Sequence, residues 1–229
     1  MAKKERMPKR GKRERRKIIK KPEMKYYFIV TDTEATERCY FEGLRRNLPR
    51  DVQAKLCIEI IDGIKTKKLL EECKRRAAYD AQYRMPWIVF DRDQVPNFDA
   101  IIAEARSNGI HVAWSNPCFE IWLLAYFGSM PALPESQKCC SEFGRVYEMR
   151  TGQEYKKSDA SLYERVYAHG DEERALQLAE RRLEQHRKEA KKKPSEMCPA
   201  TTVHELVGDI RAAGETLAVC HCRIRNESL

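Results

Sequence analysis

Apolar and polar positions along this chain alternate between two rhythms. Tyr26-Tyr27-Phe28-Ile29-Val30 is an unbroken β-branched and aromatic run, the signature of a strand buried on both faces. Thr36 to Asn47 switches to helical spacing, with Tyr40, Phe41 and Leu44 on one side. The pair then repeats. Leu56 to Ile61 reads as a strand, and Lys67 to Tyr79 as a helix with Leu69, Leu70, Cys73 and Ala77 inward. Trp87 to Phe90 follows as a strand, then Asn97 to Ser107 as a helix burying Phe98, Ile101, Ile102 and Ala105. Ile110 to Trp114 is a fourth strand, and Phe119 to Phe127 a strongly apolar helix. Four strand–helix alternations predict an α/β fold: a mostly parallel sheet with helices on both faces.

After Gly128 the strand signals stop. Residues 128–144, with two Pro and two Gly, read as a loop. Asp171 to Lys193 is a charged helix with Ala175, Leu178, Ala179 and Leu183 on its apolar stripe; Pro194 ends it, and Thr202 to Ala213 forms a last helix. The division expected is a basic arm over 1–21, an α/β core over 22–127 and a helical extension over 128–229 packed on that core.

Charge sharpens this division. The 229 residues carry a net charge of +9. Residues 1–21 hold twelve Lys/Arg and two acids, a net +10, which leaves −1 for everything else. Such an arm, with Arg13, Arg15, Arg16 and Lys17 at its centre, serves either as a nucleic-acid contact or as a solubilising tail. No run of about 18 apolar residues exists, so a membrane span is excluded, and the basic N-terminus lacks the apolar core of a secretory signal. Nine cysteines, an odd count without a CxxC pair, fit neither a disulfide framework nor a zinc ribbon. Reduced thiols in a cytoplasmic protein are the better reading than a zinc site at Cys198 and Cys220-His221-Cys222.

In an open α/β sheet, ligands bind beyond the carboxyl ends of the strands. The first strand here runs into Asp32, Glu34 and Glu37, the second ends near Asp62, and the third delivers Asp91 and Asp93. Such acids repel by about 4 kcal/mol per pair at 4 Å and an effective dielectric near 20. A cation relieves that repulsion, and an oxygen-only ligand set suits Mg²⁺ or Mn²⁺. Helix capping by Asp32 or Thr33, and a turn at Asp91, are the structural alternatives.

Four stretches carry a family resemblance: FIVTDTEATERCYFEGL (28–44), VFDRDQ (89–94), SNPCFEIWLLAYF (115–127) and CPATTVHELV (198–207). Together they resemble the RloB-like family over roughly residues 25–210. The resemblance implies a Toprim-type fold in which Asp91 and Asp93 match an Asp-x-Asp pair that holds Mg²⁺ (or Mn²⁺) for phosphodiester chemistry. It places Asp32-Thr33-Glu34-Ala35-Thr36-Glu37 on a Glu-Gly-x-x-Thr-Glu motif, with Asp32 and Glu37 as further ligands or base. Asp32 stands where Glu is usual, and Thr33 where Gly lets a ligand approach the backbone.

Several other residues match family positions. Asn116 and Glu120 each reach the metal or the phosphate, Glu120 as a member of the catalytic set and Asn116 as a nucleic-acid contact, unless Asn116 caps the helix that Pro117 opens. His204 serves as acid, base or phosphate grip, or is a structural histidine. Lys156 and Lys157 meet phosphate or form a solvated turn. The expectation is a metal-dependent nuclease acting on RNA, tRNA included, or on DNA, as an antiphage effector restrained by a partner from a defence locus. The alternative is a nucleic-acid-binding or sensing subunit whose Toprim site is weakened at Asp32 and Thr33.

Overall fold

The structure, a computed structural model, describes residues 26–226 apart from 33–34, 54–56, 64, 79–83 and 94; it describes side chains as far as Thr216, positions 51, 67 and 84 excepted. The arm with Arg13, Arg15, Arg16 and Lys17 lies outside the described residues, as do Thr33, Glu34 and the side chains of Cys220, His221 and Cys222.

Four parallel strands form the sheet: β1 (Tyr26–Thr31), β2 (Cys57–Ile61), β3 (Arg84–Asp91) and β4 (His111–Asn116). A two-residue strand β5 (Ala200–Thr201) adds antiparallel to β4, giving the order β2-β1-β3-β4-β5. The crossovers are α1 (Thr36–Asn47) with the short α2 (Arg50–Gln53), α3 (Thr66–Ala77) and α4 (Phe98–Ser107). Helices α5 (Glu120–Tyr126), α6 (Ser136–Thr151), α7 (Leu162–His169), α8 (Glu172–Lys188) and α9 (Val203–Asn226) follow.

The two-residue period of the strands sorts the core into two layers. Tyr27, Ile29, Trp87, Val89 and Ala113 face one way, against Tyr40, Phe41 and Leu44 of α1 and the apolar faces of α5 to α9. Phe28, Val30, Ile88, Phe90, Val112 and Trp114 face the other way, against Leu69, Leu70 and Cys73 of α3 and Phe98, Ile102 and Ala105 of α4. Burial on both faces is why these strands carry no polar alternation. Pro86 lies inside β3, paired with Phe28 of β1, but β4 joins only from Trp87 onward. Its missing N–H therefore costs no bond to β4.

Three expectations are corrected. The stretch 128–144 is not all loop, because α6 starts at Ser136. Its buried Cys139, Phe143, Val146 and Tyr147 form a helical stripe that crosses Gly144 and ends at Gly152, where φ is +70°. The charged helix α8 stops at Lys188, short of Lys193, while Asp171 caps its start by accepting from the Arg174 amide at 2.9 Å. Strand signal also returns once after Gly128, at β5, too short to show a period.

Candidate functional site

Parallel pairing puts the carboxyl ends of β1, β3 and β4 on one edge of the sheet. Thr31 pairs with Val89 and Asp91 with Ser115, so the residues leaving these strands must be neighbours. A cavity of about 370 Å³ opens there, lined by Asp32, Glu37, Asp91, Asp93, Glu120 and Lys157, with Cys118, Cys140, Thr36, Thr66 and Ser136 among the rest of its wall.

Each acid is held differently. Asp91 accepts the Phe119 amide on Oδ2 at 3.0 Å, tying β3 to the start of α5, while its Oδ1 is buried without a hydrogen-bond partner. Asp32 accepts the Thr66 hydroxyl on Oδ2 at 3.1 Å, and its Oδ1 is likewise buried, with no hydrogen-bond partner among the described residues. Asp93 is more exposed and accepts the Ser136 hydroxyl at 3.0 Å. Glu37, in the first turn of α1, and Glu120, which opens α5, are both only 2% exposed. Glu120 accepts the Tyr155 hydroxyl at 2.8 Å; since the carboxylate only accepts, the Thr36 hydroxyl at 3.0 Å from Tyr155 is the donor in that second bond.

The acids feel one another. Burial, reinforced by the charges of Glu37, Asp32 and Glu120, holds the Asp91 carboxyl well above the usual range; the Phe119 amide opposes this. Burial lifts Asp32 to about 6 against the Thr66 hydrogen bond, with Asp93 adding to the rise. Lys157 sits 3.7 Å from Glu120, and that negative charge raises its ammonium pKa. Arg92, between the two aspartates, turns away: it donates to the Asp93 and Val95 carbonyls and lies over the Phe98 ring at 5.8 Å. Sequence adjacency therefore does not neutralise Asp91 or Asp93.

Two unpartnered buried carboxylate oxygens, at Asp32 and Asp91, fit a hard cation, which satisfies oxygens that no donor reaches. Among the described residues, the three side chains whose ligand atoms lie within 4.8 Å of one another are instead Cys118, Glu120 and Cys140, a candidate metal-binding group. A Mg²⁺ ion needs no dense protein cage, because one or two carboxylates, waters and substrate phosphate complete its shell.

A family profile described as RloB-like protein matches residues 27–210. The chain belongs to the RloB-like family. No curated protein and no solved structure matches it.

Not every residue singled out in this RloB-like sequence reaches the cavity. Asn116 donates through Nδ2 to the Pro194 and Ser195 carbonyls, both at 3.2 Å, and does not cap α5, whose leading amide belongs to Asp91. His204 faces the Thr201 carbonyl at 3.0 Å and Glu180 at 2.9 Å, so both ring nitrogens meet acceptors away from the cavity wall. Lys156 pairs with Glu154 at 3.7 Å on the surface, whereas its neighbour Lys157 lines the cavity. Asp62 at the end of β2 is taken by Arg38 at 2.9 Å. Capping of α1 by Asp32 does not occur; the N-cap of that helix is Ala35, which offers no side-chain cap.

Sequence reasoning missed Thr66, Ser136, Cys118 and Cys140 as wall residues, and Tyr155 as the residue that holds Glu120. Cys118 lies two positions before Glu120 in the most specific segment and was legible there. Cys140 and Tyr155 arrive from α6 and the loop after it, and no local signal announces where those dock.

Proposed function

We propose that this chain is a Mg²⁺- or Mn²⁺-dependent nuclease that hydrolyses phosphodiester bonds of RNA, tRNA included, or of DNA, and acts in the cytoplasm as an effector of prokaryotic antiphage defence. The observation that carries the reading is the pair of buried, unpartnered oxygens on Asp32 and Asp91 at adjacent strand ends. A fold keeps such oxygens only at a cost in stability, which a bound cation offsets.

Asp91 and Asp93 would hold the ion, with Asp32 and Glu37 beside them. When bound, the ion polarises the phosphoryl oxygen and lowers the pKa of its water. The remaining work falls to the chain's own groups. Asp32 and Glu37, beside that ion, are the carboxylates placed to take a proton from an attacking water. Lys157, with 61% of its side chain exposed at the cavity wall, supplies positive charge for a phosphate. The N-terminal arm supplies salt-sensitive, sequence-independent attraction to the nucleic acid. A partner from a defence locus restrains the activity, since an unrestrained nuclease would damage its own cell.

The test is incubation of the purified full chain with DNA, mixed RNA and tRNA in EDTA, Mg²⁺ and Mn²⁺. Asp91→Asn and Asp93→Ala run alongside, with thermal unfolding as the control for folding. Cleavage that requires the ion and falls by about 10² or more in both folded variants is the expected result. Tight binding of nucleic acid without cleavage in either ion would overturn it in favour of a sensing subunit.

A further inference from the structure

One wall of the cavity has a different chemistry from the rest. Cys118 follows β4, Glu120 opens α5, and Cys140 lies on α6. The two sulfurs are 3.9 Å apart, and a carboxylate oxygen of Glu120 lies within 4.8 Å of both. Two thiolates sharing one tetrahedral ion at about 2.3 Å each are separated by about 3.8 Å. Thiols in simple contact reach a similar distance, so the third group decides the reading. Glu120 is a buried acid set against two thiols; Lys157 at 3.7 Å offsets part of its burial, and an ion shared with the two sulfurs would offset more. Its Oε1 is also anchored by Tyr155, the way ligand carboxylates are commonly oriented by an outer hydrogen bond.

We propose that Cys118, Cys140 and Glu120 form a thiophilic metal subsite that takes Zn²⁺ with three protein ligands, leaving its fourth position toward the cavity. The oxygen-only set of Asp32, Glu37, Asp91 and Asp93 selects hard ions, whereas two sulfurs select Zn²⁺ or Co²⁺ over Mg²⁺. Binding forms two metal–sulfur bonds and one metal–oxygen bond. The two thiol protons leave to solvent, and no oxidant or reductant takes part. Three ligands and an open position are the pattern of reactive rather than purely structural zinc. Glu120 also acts on Asp91 through its charge, so an ion there changes the field at the neighbouring carboxylates. The assignment stands independently of the nuclease reading, because it concerns metal affinity alone.

The experiment titrates the reduced, full-length chain with Co²⁺ and then displaces it with Zn²⁺, following the thiolate-to-cobalt charge-transfer absorption. One equivalent of Co²⁺ with that absorption, displaced by one equivalent of Zn²⁺, is expected. Cys140→Ser should weaken Co²⁺ by at least about tenfold, the lower end of what loss of a ligand's mere orienting partner costs. The Cys118→Ser/Cys140→Ser double variant should abolish the absorption while Asp91→Asn keeps it, thermal unfolding confirming that each variant is folded. The proposal is overturned if no charge-transfer absorption develops. It is also overturned if the absorption survives in the double variant, which would put the ion on other cysteines, or if the aerobically purified chain carries a Cys118–Cys140 disulfide and the reduced chain binds no ion. Absence of Mg²⁺-dependent cleavage would leave all these outcomes unchanged.

Discussion

At Asp32 two effects oppose each other: burial lifts the carboxyl to about 6, and the Thr66 hydroxyl holds it down. An unfolded Asp ionises near 3.9, so between about pH 4 and 6 the folded chain retains a proton that the unfolded chain has lost. The resulting stabilisation is complete below about pH 4 and gone above about pH 6. In EDTA, the chain should therefore lose roughly 1–3 kcal/mol of stability across that window, read by chemical denaturation at a series of pH values. Asp32→Asn should flatten that dependence and raise stability at pH 7, because the amide still accepts the Thr66 hydroxyl without burying a charge. An unchanged pH profile in Asp32→Asn would place the titrating group elsewhere. At this scale the acids themselves were legible, since Asp91 and Asp93 follow an apolar strand directly. Their hydrogen-bond partners were not: Thr66 and Ser136 lie 34 and 43 residues from the acids they hold.

Among the elements, α1 and α6 test how closely helices approach. A Cβ at Gly43 of α1 would sit 2.3 Å from the Tyr163 Cβ of α7, an atom that no rotamer change can move aside. At Gly144 of α6 the nearest atoms, on Tyr155, are 3.9 Å away. Ala gains up to about 1 kcal/mol over Gly inside a helix, but overpacking costs about 1–3 kcal/mol. Gly43→Ala should therefore destabilise by about 1–2 kcal/mol or more, and Gly144→Ala should stabilise by somewhat under 1 kcal/mol, both measured by thermal unfolding. Equal shifts of the same sign would refute the packing argument. The same contrast explains why α6 hid from sequence reasoning. Gly144 reads as a breaker locally, yet the helix pays only a propensity cost there, while Cys139, Phe143, Val146 and Tyr147 bury its inner face.

For the whole molecule, charge is partitioned rather than spread. Removing residues 1–21 turns a chain of +9 into one of −1. If the arm supplies the contacts to phosphate, the truncated chain should bind RNA or DNA more weakly and with a shallower dependence of log K on log salt. Titrations at several salt concentrations measure both, and equal slopes for the two chains would show that the arm makes no phosphate contacts. The deletion removes no residue of β1 or of either core layer, and thermal unfolding of both chains checks that the truncated one folds.

Hydrophobic period and strand-end position are local properties, so the strand–helix alternation, the buried faces of the sheet and the acids at the strand ends are all legible in the chain alone. Family membership is legible there too, through segments spread over most of the chain. Tertiary structure decided which of the marked residues meet. Parallel register brings Asp32 beside Asp91, and the docking of α6 carries Ser136 and Cys140 to the same cavity. Asn116 and His204 instead go to backbone carbonyls and Glu180. Those outcomes depend on contacts across tens of residues of chain, where packing rather than local pattern sets the distance.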